Sequence, residues 1–245
     1  MAKGIDTRLQ SIAHKIERAA GDNLVSLLVR GSAARGDFDS KRSDVNLVLI
    51  LRDTSAQALR PLGDVVAKWV KSGQPAPVIF SENGWKDSTD VFPIELEDMR
   101  EAHRLLRGAD PFEGIRTEMR HVRHELEREA RGKLIQLRAE YVAVESNGKW
   151  LGGLLLGSAK TFFVLFRALV RCKGEPMPAD NRALVAAAAE IAGFDANAFE
   201  WPLAKMAGEK RSDLTAYHQT GAQYLQAIER FVDYVDKMET KETTE

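Results

Sequence analysis

Apolar residues recur with two different rhythms along this chain. Up to about residue 110, helical stripes alternate with short, continuous apolar runs, whereas from about 112 to 240 the spacing is helical throughout. In the first part, Leu9, Ile12, Ile16 and Ala19 share one face of a helix predicted from Asp6 to Ala20, with Gly21 at its C-cap. Leu24–Val29 is an apolar run of strand length, and Asp44–Leu51 is a second one rich in Val, Leu and Ile. A helix is expected from Ala58 to Lys71 with Pro61 in its first turn, followed by a third strand at Pro77–Phe80. Val91–Leu96 reads as a possible fourth strand, which Pro93 marks as an edge strand or an interrupted one, and Asp98–Leu106 as a helix ending at Gly108.

In the second part, Ile115, Met119, Val122, Leu126, Ala130, Leu134, Leu137, Tyr141 and Val144 form one long helical stripe. Trp150–Val170 is apolar almost all round, the pattern of a helix at the centre of a bundle. An Ala-rich helix follows at Asn181–Ala192, then a short one near Asp195 and a last one from Asp213 to about Val235. The expected organisation is an α/β (α+β) domain over 1–110, an all-helical bundle over 111–240, and a disordered polar tail at 241–245.

Composition narrows the function classes. The chain has 245 residues, 44% hydrophobic and 29% charged, which is ordinary globular usage. Its 35 Lys+Arg against 36 Asp+Glu leave a formal charge of -1. A chain this neutral has no global pull on nucleic acid or anionic lipid, so an anionic ligand must be held by a local device. The single cysteine, Cys172, excludes an internal disulfide and a multi-cysteine zinc site. The start lacks an apolar signal core, and the apolar stretch near 150–170 carries Lys160 and Arg167. Together these point to a cytoplasmic protein with no membrane partner.

The informative stretch is Val29-Arg30-Gly31-Ser32-Ala33-Ala34-Arg35-Gly36-Asp37, followed by Ser43-Asp44-Val45-Asn46-Leu47. Gly31 permits a sharp turn and close approach of a bulky anion to the main chain. Ser32 offers a hydroxyl and an N–H at a helix start, where free N–H groups favour phosphate. Asp44 heads the next strand, and a carboxylate there suits a Mg²⁺ ion bridging protein and phosphates.

This arrangement resembles the nucleotidyltransferase superfamily related to DNA polymerase beta, which includes the aminoglycoside nucleotidyltransferases and small bacterial nucleotidyltransferases of toxin–antitoxin pairs. The family pattern is an apolar residue, Gly, Ser or Gly, a spacer, then Asp, an apolar residue, Asp or Glu, and another apolar residue. Here Arg30 occupies the normally apolar place, Gly31-Ser32 follow, and Asp44-Val45-Asn46-Leu47 closes the pattern. The resemblance implies a small mixed-sheet domain followed by a helical bundle, with Mg²⁺ and NTP bound and a nucleotidyl group passed to a hydroxyl acceptor. It assigns Gly31, Ser32 and Arg35 to phosphates, and Asp44 and Asn46 to metal. Asp44 also becomes a catalytic residue, with Glu95 as third carboxylate and base, and Asp90 and Glu97 as substitutes for it.

Asn46 departs from the pattern: it keeps the shape of Asp but not the charge, and its oxygen is a poor Mg²⁺ ligand. That departure opens a second function class, an inactive member of the fold that binds nucleotide or a partner, antitoxin-like, without transfer. The acceptor, a small molecule or a protein, and the oligomeric state stay open. Several other groups have ordinary readings. His121 and His124 suit a solvated helix face better than a metal. The arginines from Arg116 to Arg131 are offset by Glu118, Glu125, Glu127 and Glu129. Lys160 and Arg167 need a partner or a ligand on their apolar helix.

Overall fold

The computed structural model describes residues 2–35 and 44–238; the side chains of residues 2–4, 32 and 35 are not among those described. The expected tail at 241–245, with Asp37 and Asp39, lies outside the described residues. The chain divides into two compact units, 1–117 and 118–245.

The first unit runs α1 (Ala2–Ala20), β1 (Leu24–Arg30), α2 (Ser32–Arg35), β2 (Asn46–Leu51), α3 (Ala56–Leu59), α4 (Gly63–Lys71), β3 (Val78–Ser81), α5 (Glu82–Lys86), α6 (Pro93–Glu101) and β4 (His103–Gly108). The strands form one mixed sheet in the order β3-β2-β1-β4. β1 pairs antiparallel with β2 and β4, while β2 and β3 are parallel. The central strands are continuous apolar runs because both faces are covered. Leu27, Val29, Leu47 and Leu49 pack with Leu9, Ile12 and Ile16 of α1. Leu28, Val48 and Ile50 pack on the opposite face with Trp85, Leu96 and Met99 of α5 and α6. Trp85 is anchored by its indole N–H donating to the Pro111 carbonyl at 2.7 Å, and its ring meets Phe80 and Phe112 edge-on.

Two expected elements exchange places. Residues 91–96, read as a strand, are a turn and the start of α6, and 103–108, read as the end of a helix, form β4. Pro93 is the first residue of α6, where its fixed φ and missing N–H cost nothing, so it starts the helix instead of marking an edge strand. β4 is held to α1 by ion pairs, Arg104 with Asp6 at 2.6 Å and Arg107 with Glu17 at 2.9 Å. β3 leads directly into the short helix α5, capped by the Ser81 hydroxyl accepting from the Gly84 N–H. The expected helix from Ala58 is broken around Pro61 into α3, a 3-10 turn and α4.

The second unit contains α7 (Met119–Val144), α8 (Gly148–Lys173), α9 (Asn181–Ala192), α10 (Glu200–Met206) and α11 (Gln219–Asp236). Its core is aromatic: Phe166 meets Phe231 at 4.9 Å, and Phe199 meets Tyr224 at 4.8 Å between ring centroids. By length and composition α8 is apolar enough to cross a membrane, but half of its apolar stretch is buried in the unit. Length therefore does not separate the two readings; burial fits a core helix. The last helix begins at Gln219 instead of Asp213, and its N-cap is His218, whose Nδ1 accepts from the Thr220 N–H.

Candidate functional site

The two halves of the Gly-Ser and Asp motif meet at one end of the sheet. β1 ends at Arg30, and Gly31 turns the chain with φ +75, a left-handed conformation that costs other residues about 1–2 kcal/mol. A Cβ on Gly31 would lie 3.8 Å from Asn46 Nδ2, so the turn sits beside the first residue of β2. Arg30 pairs directly with Asn46 on one side and with His103 on the other.

Strand alternation assigns the faces. Val45 is fully buried and packs with the α1 cluster, so Asp44 and Asn46 take the other parity, that of Val48 and Ile50 on the α5/α6 face. Arg30 shares this face with Leu28 by the same rule. The approach to β2 is fixed by the Val45 N–H, which donates to Gln74 Oε1 at 2.8 Å. Asp44 is exposed just outside the strand, and Asn46 is half-buried at its first position.

The same face holds a pocket of about 260 Å³ lined by Arg30 and Glu95 among Val48, Phe80, Phe92 and Met99. Glu95, expected on a strand, lies instead in the first turn of α6, exposed, and its pocket neighbour is Arg30. Gly31, Asp44 and Asn46 do not line that pocket. Of the substitutes for Glu95, Glu97 is committed to Arg100 at 3.1 Å, and Asp90 is exposed in the turn before α6.

The expected phosphate device changes in weight. α2 is a single turn, closed by the Ala34 N–H on the Gly31 carbonyl at 2.9 Å. So short a helix has almost no macrodipole to offer an anion. The side chains of the two other phosphate candidates, Ser32 and Arg35, lie outside the described ones. The residue that sequence reasoning passes over is Arg30. Its Nε is buried and, among the described residues, has no hydrogen-bond partner. The available signal is an arginine at the apolar place of the pattern, at the end of a run that is otherwise buried.

The donor set can be tested against the metal that the resemblance implies. Among the described residues it does not fit a carboxylate-bound pair of cations: Asp44 is one carboxylate, Asn46 offers a neutral amide, and Arg30 places a positive charge opposite that amide. Glu95 is on a separate helix, and no cluster of three or more His, Cys, Asp or Glu side chains is gathered among the described residues.

The other candidates described lie in the second unit. The basic series on α7 is paired, with Arg123 to Glu127 at 3.2 Å, Arg128 to Glu129 at 3.2 Å and Arg131 to Asp236 at 2.9 Å. Arg167 is half-buried and has an interaction partner, while Lys160 is exposed. Burial pushes the Cys172 thiol up to about 11, which keeps it protonated and unreactive near neutrality.

No family model matches the sequence, and no curated protein matches it. Among solved structures, the spectinomycin adenyltransferase AAD(9) from Enterococcus faecialis, determined with ATP and spectinomycin, is similar over 94% of this chain and 99% of that one. The TM-score is 0.58 and the identity 12%, so the likeness is one of fold. The chain has the nucleotidyltransferase fold, a mixed four-stranded sheet with helices followed by a helical region.

Proposed function

We propose that this chain is a nucleotidyltransferase-like protein that binds a nucleoside triphosphate at the β1 end of its sheet. The observation that carries the reading is the left-handed turn at Gly31 beside Asn46, which supports the two halves of the motif acting as one site. The phosphates would lie along the Gly31-Ser32 backbone, with Ser32 and Arg35 as their side-chain ligands. The solved protein of the same fold was determined with ATP and spectinomycin, which supports an NTP and a small-molecule acceptor as partners here. In transfer, the acceptor hydroxyl would attack the alpha-phosphorus, its proton would pass to Glu95, and pyrophosphate would leave. Glu95 is exposed on the same sheet face as Asp44 and Asn46, as a base open to an acceptor must be.

Asn46 favours a second reading, binding without transfer, because it removes a carboxylate from the place where a divalent cation would neutralise developing charge. One assay separates the readings. Each NTP is offered with Mg²⁺ and a panel of hydroxylated acceptors, and pyrophosphate release is followed alongside equilibrium binding. Acceptor-dependent pyrophosphate that disappears in Glu95→Gln supports the transferase. Tight binding with no pyrophosphate supports the binding protein. Absence of NTP binding ends both. Within the binding reading, Ser32→Ala should cost roughly 1.5–3 kcal/mol for one hydrogen bond to a charged oxygen. Arg35→Ala should weaken triphosphate binding more than nucleoside binding, because only the former presents a charge.

A further inference from the structure

The geometry points to Arg30 as the fixed cation of this site: we propose that it binds phosphate oxygens directly and lets the site hold a polyphosphate without a divalent metal. The inference rests on the reading of this sheet face as a phosphate site. It names the group that meets the charge. Three observations lead to it.

The first is position. Arg30 is the last residue of β1, immediately before the Gly31 turn, and it pairs across the ladder with Asn46. Any anion seated on the turn therefore has the Arg30 backbone as its neighbour, and the Arg30 side chain lies on the face shared by Asp44 and Asn46.

The second is unmet bonding. The Nε of Arg30 is buried with no hydrogen-bond partner among the described residues, and the side chain lines a pocket with Glu95 and Ser88 among otherwise apolar walls, beside but not including the Gly31 turn. Burying a guanidinium N–H without an acceptor is unfavourable. A phosphate seated on the turn within reach of the guanidinium would relieve it, and a planar fork of donors is suited to phosphate.

The third is charge. Relative to the motif's carboxylate and apolar residue, Asn46 removes one negative charge and Arg30 adds one positive charge at cross-strand neighbours. The two changes together equal the charge of one divalent cation. They also act in the same direction against a metal, since the amide is a poor Mg²⁺ ligand and the guanidinium repels the ion. The misfit of the donor set to metal and the fit of Arg30 to phosphate are then one fact.

The test uses the full chain, with ATP and inorganic tripolyphosphate as probes. Affinity is measured by calorimetry in EDTA and again in Mg²⁺, for the wild type, Arg30→Leu and Arg30→Lys, with thermal unfolding of each. The expected result is that both probes bind in EDTA within about threefold of their affinity in Mg²⁺. Arg30→Leu, which restores the apolar residue of the pattern, should lose at least about tenfold in EDTA. Arg30→Lys should fall between, keeping the charge without the fork. If ATP binds only in Mg²⁺ and Arg30→Leu is as good a binder as the wild type, the inference is overturned while the nucleotide reading stands. If tripolyphosphate binds in EDTA and depends on Arg30 but ATP does not bind at all, the nucleotide reading fails and the anion site stands. If neither probe binds in either condition, both fail. Should Arg30→Leu not fold, the wild-type comparison in EDTA and Mg²⁺, together with Arg30→Lys, distinguishes the same outcomes.

Discussion

Replacing Asn46 by aspartate separates a guanidinium site from a metal site, because the two make opposite demands on position 46. That position is half-buried and directly opposite Arg30 in the β1–β2 ladder. Opposed residues in antiparallel strands have Cβ atoms about 4.5–5.5 Å apart, so a carboxylate there reaches the guanidinium. The net gain in stability is small, about 0.2–1 kcal/mol for opposite charges across a ladder. At about 2–4 °C per kcal/mol, this raises Tm by no more than about 4 °C. The effect on anion binding is larger. A hydrogen bond from a charged group contributes roughly 1.5–3 kcal/mol, and one turned from phosphate to Asp would be lost. Kd for ATP or tripolyphosphate in EDTA should then rise by about 10–150-fold. Asn46→Ala, which removes the amide without adding charge, should stay within about threefold of the wild type. Calorimetry in EDTA and in Mg²⁺, with thermal unfolding of each variant, reads all of these quantities. If Asn46→Asp leaves the EDTA affinity unchanged and gains affinity in Mg²⁺, the carboxylate is serving a metal and not Arg30. The reasoning from the cross-strand pair would then be refuted.

Gly31→Ala should cost about 1–2 kcal/mol, from the left-handed backbone alone, since its Cβ meets nothing closer than Asn46 Nδ2 at 3.8 Å. Gly108→Ala should cost more, because φ is +82 and its Cβ would lie 2.0 Å from the Val25 carbonyl oxygen; equal losses in denaturant titrations of the two variants would contradict this. Burial holds the Tyr224 hydroxyl well above its usual 10.0, against the Ser158 hydrogen bond at 2.9 Å, and raises Cys172 from 9.0 to about 11. Both groups stay neutral when folded, so their contribution is fully present below pH 9 and is lost as pH rises, from 9 for the thiol and from 10 for the phenol. Stability should therefore fall between about pH 8.5 and 11, less steeply in a Tyr224→Phe, Cys172→Ala double variant; an unchanged slope would show that other groups control it. Trp85→Ala should destabilise the first unit by about 3–5 kcal/mol, since the ring is 2% exposed, hydrogen-bonded to Pro111 and packed on Phe80 and Phe112.

How much of this molecule can be read from its sequence depends on how local each determinant is. β1 and β2 are legible because their apolar runs are short, continuous and bounded by turn residues. The Ala-rich helix is legible to its bounds, because Asp180 caps it with a side-chain hydrogen bond and Gly193 ends it in a left-handed conformation. The segment from 91 to 108 is not. Val91, Ile94 and Leu96 with Pro93 between them imitate an interrupted edge strand. What makes 93–101 a helix is Ile94, Leu96 and Met99 buried together, with Leu96 and Met99 packed beneath β1 and β2. β4 likewise depends on its ladder with β1, which its own sequence does not contain. The exchange carries Glu95 with it, from an expected edge or interrupted strand to an exposed helical turn that lines a pocket with Arg30.

The site shows the same division between local and non-local information. Gly31 and Asn46 belong to one motif along the chain, so their meeting is visible as spacing. Arg30 is visible only as a misfit, an arginine where the pattern wants an apolar residue. Its meaning lies in the register that sets it against Asn46, and register is a property of two strands at once. Read along the chain, Asn46 is a lost ligand and Arg30 an unrelated oddity. Read across the ladder, a removed negative charge and an added positive charge stand side by side on one sheet face, next to a turn shaped for close approach. On that face the Arg30 Nε is buried with no hydrogen-bond partner among the described residues. On the proposed reading, a side chain and not a bound metal is the source of the site's positive charge, and the EDTA measurement addresses that difference directly.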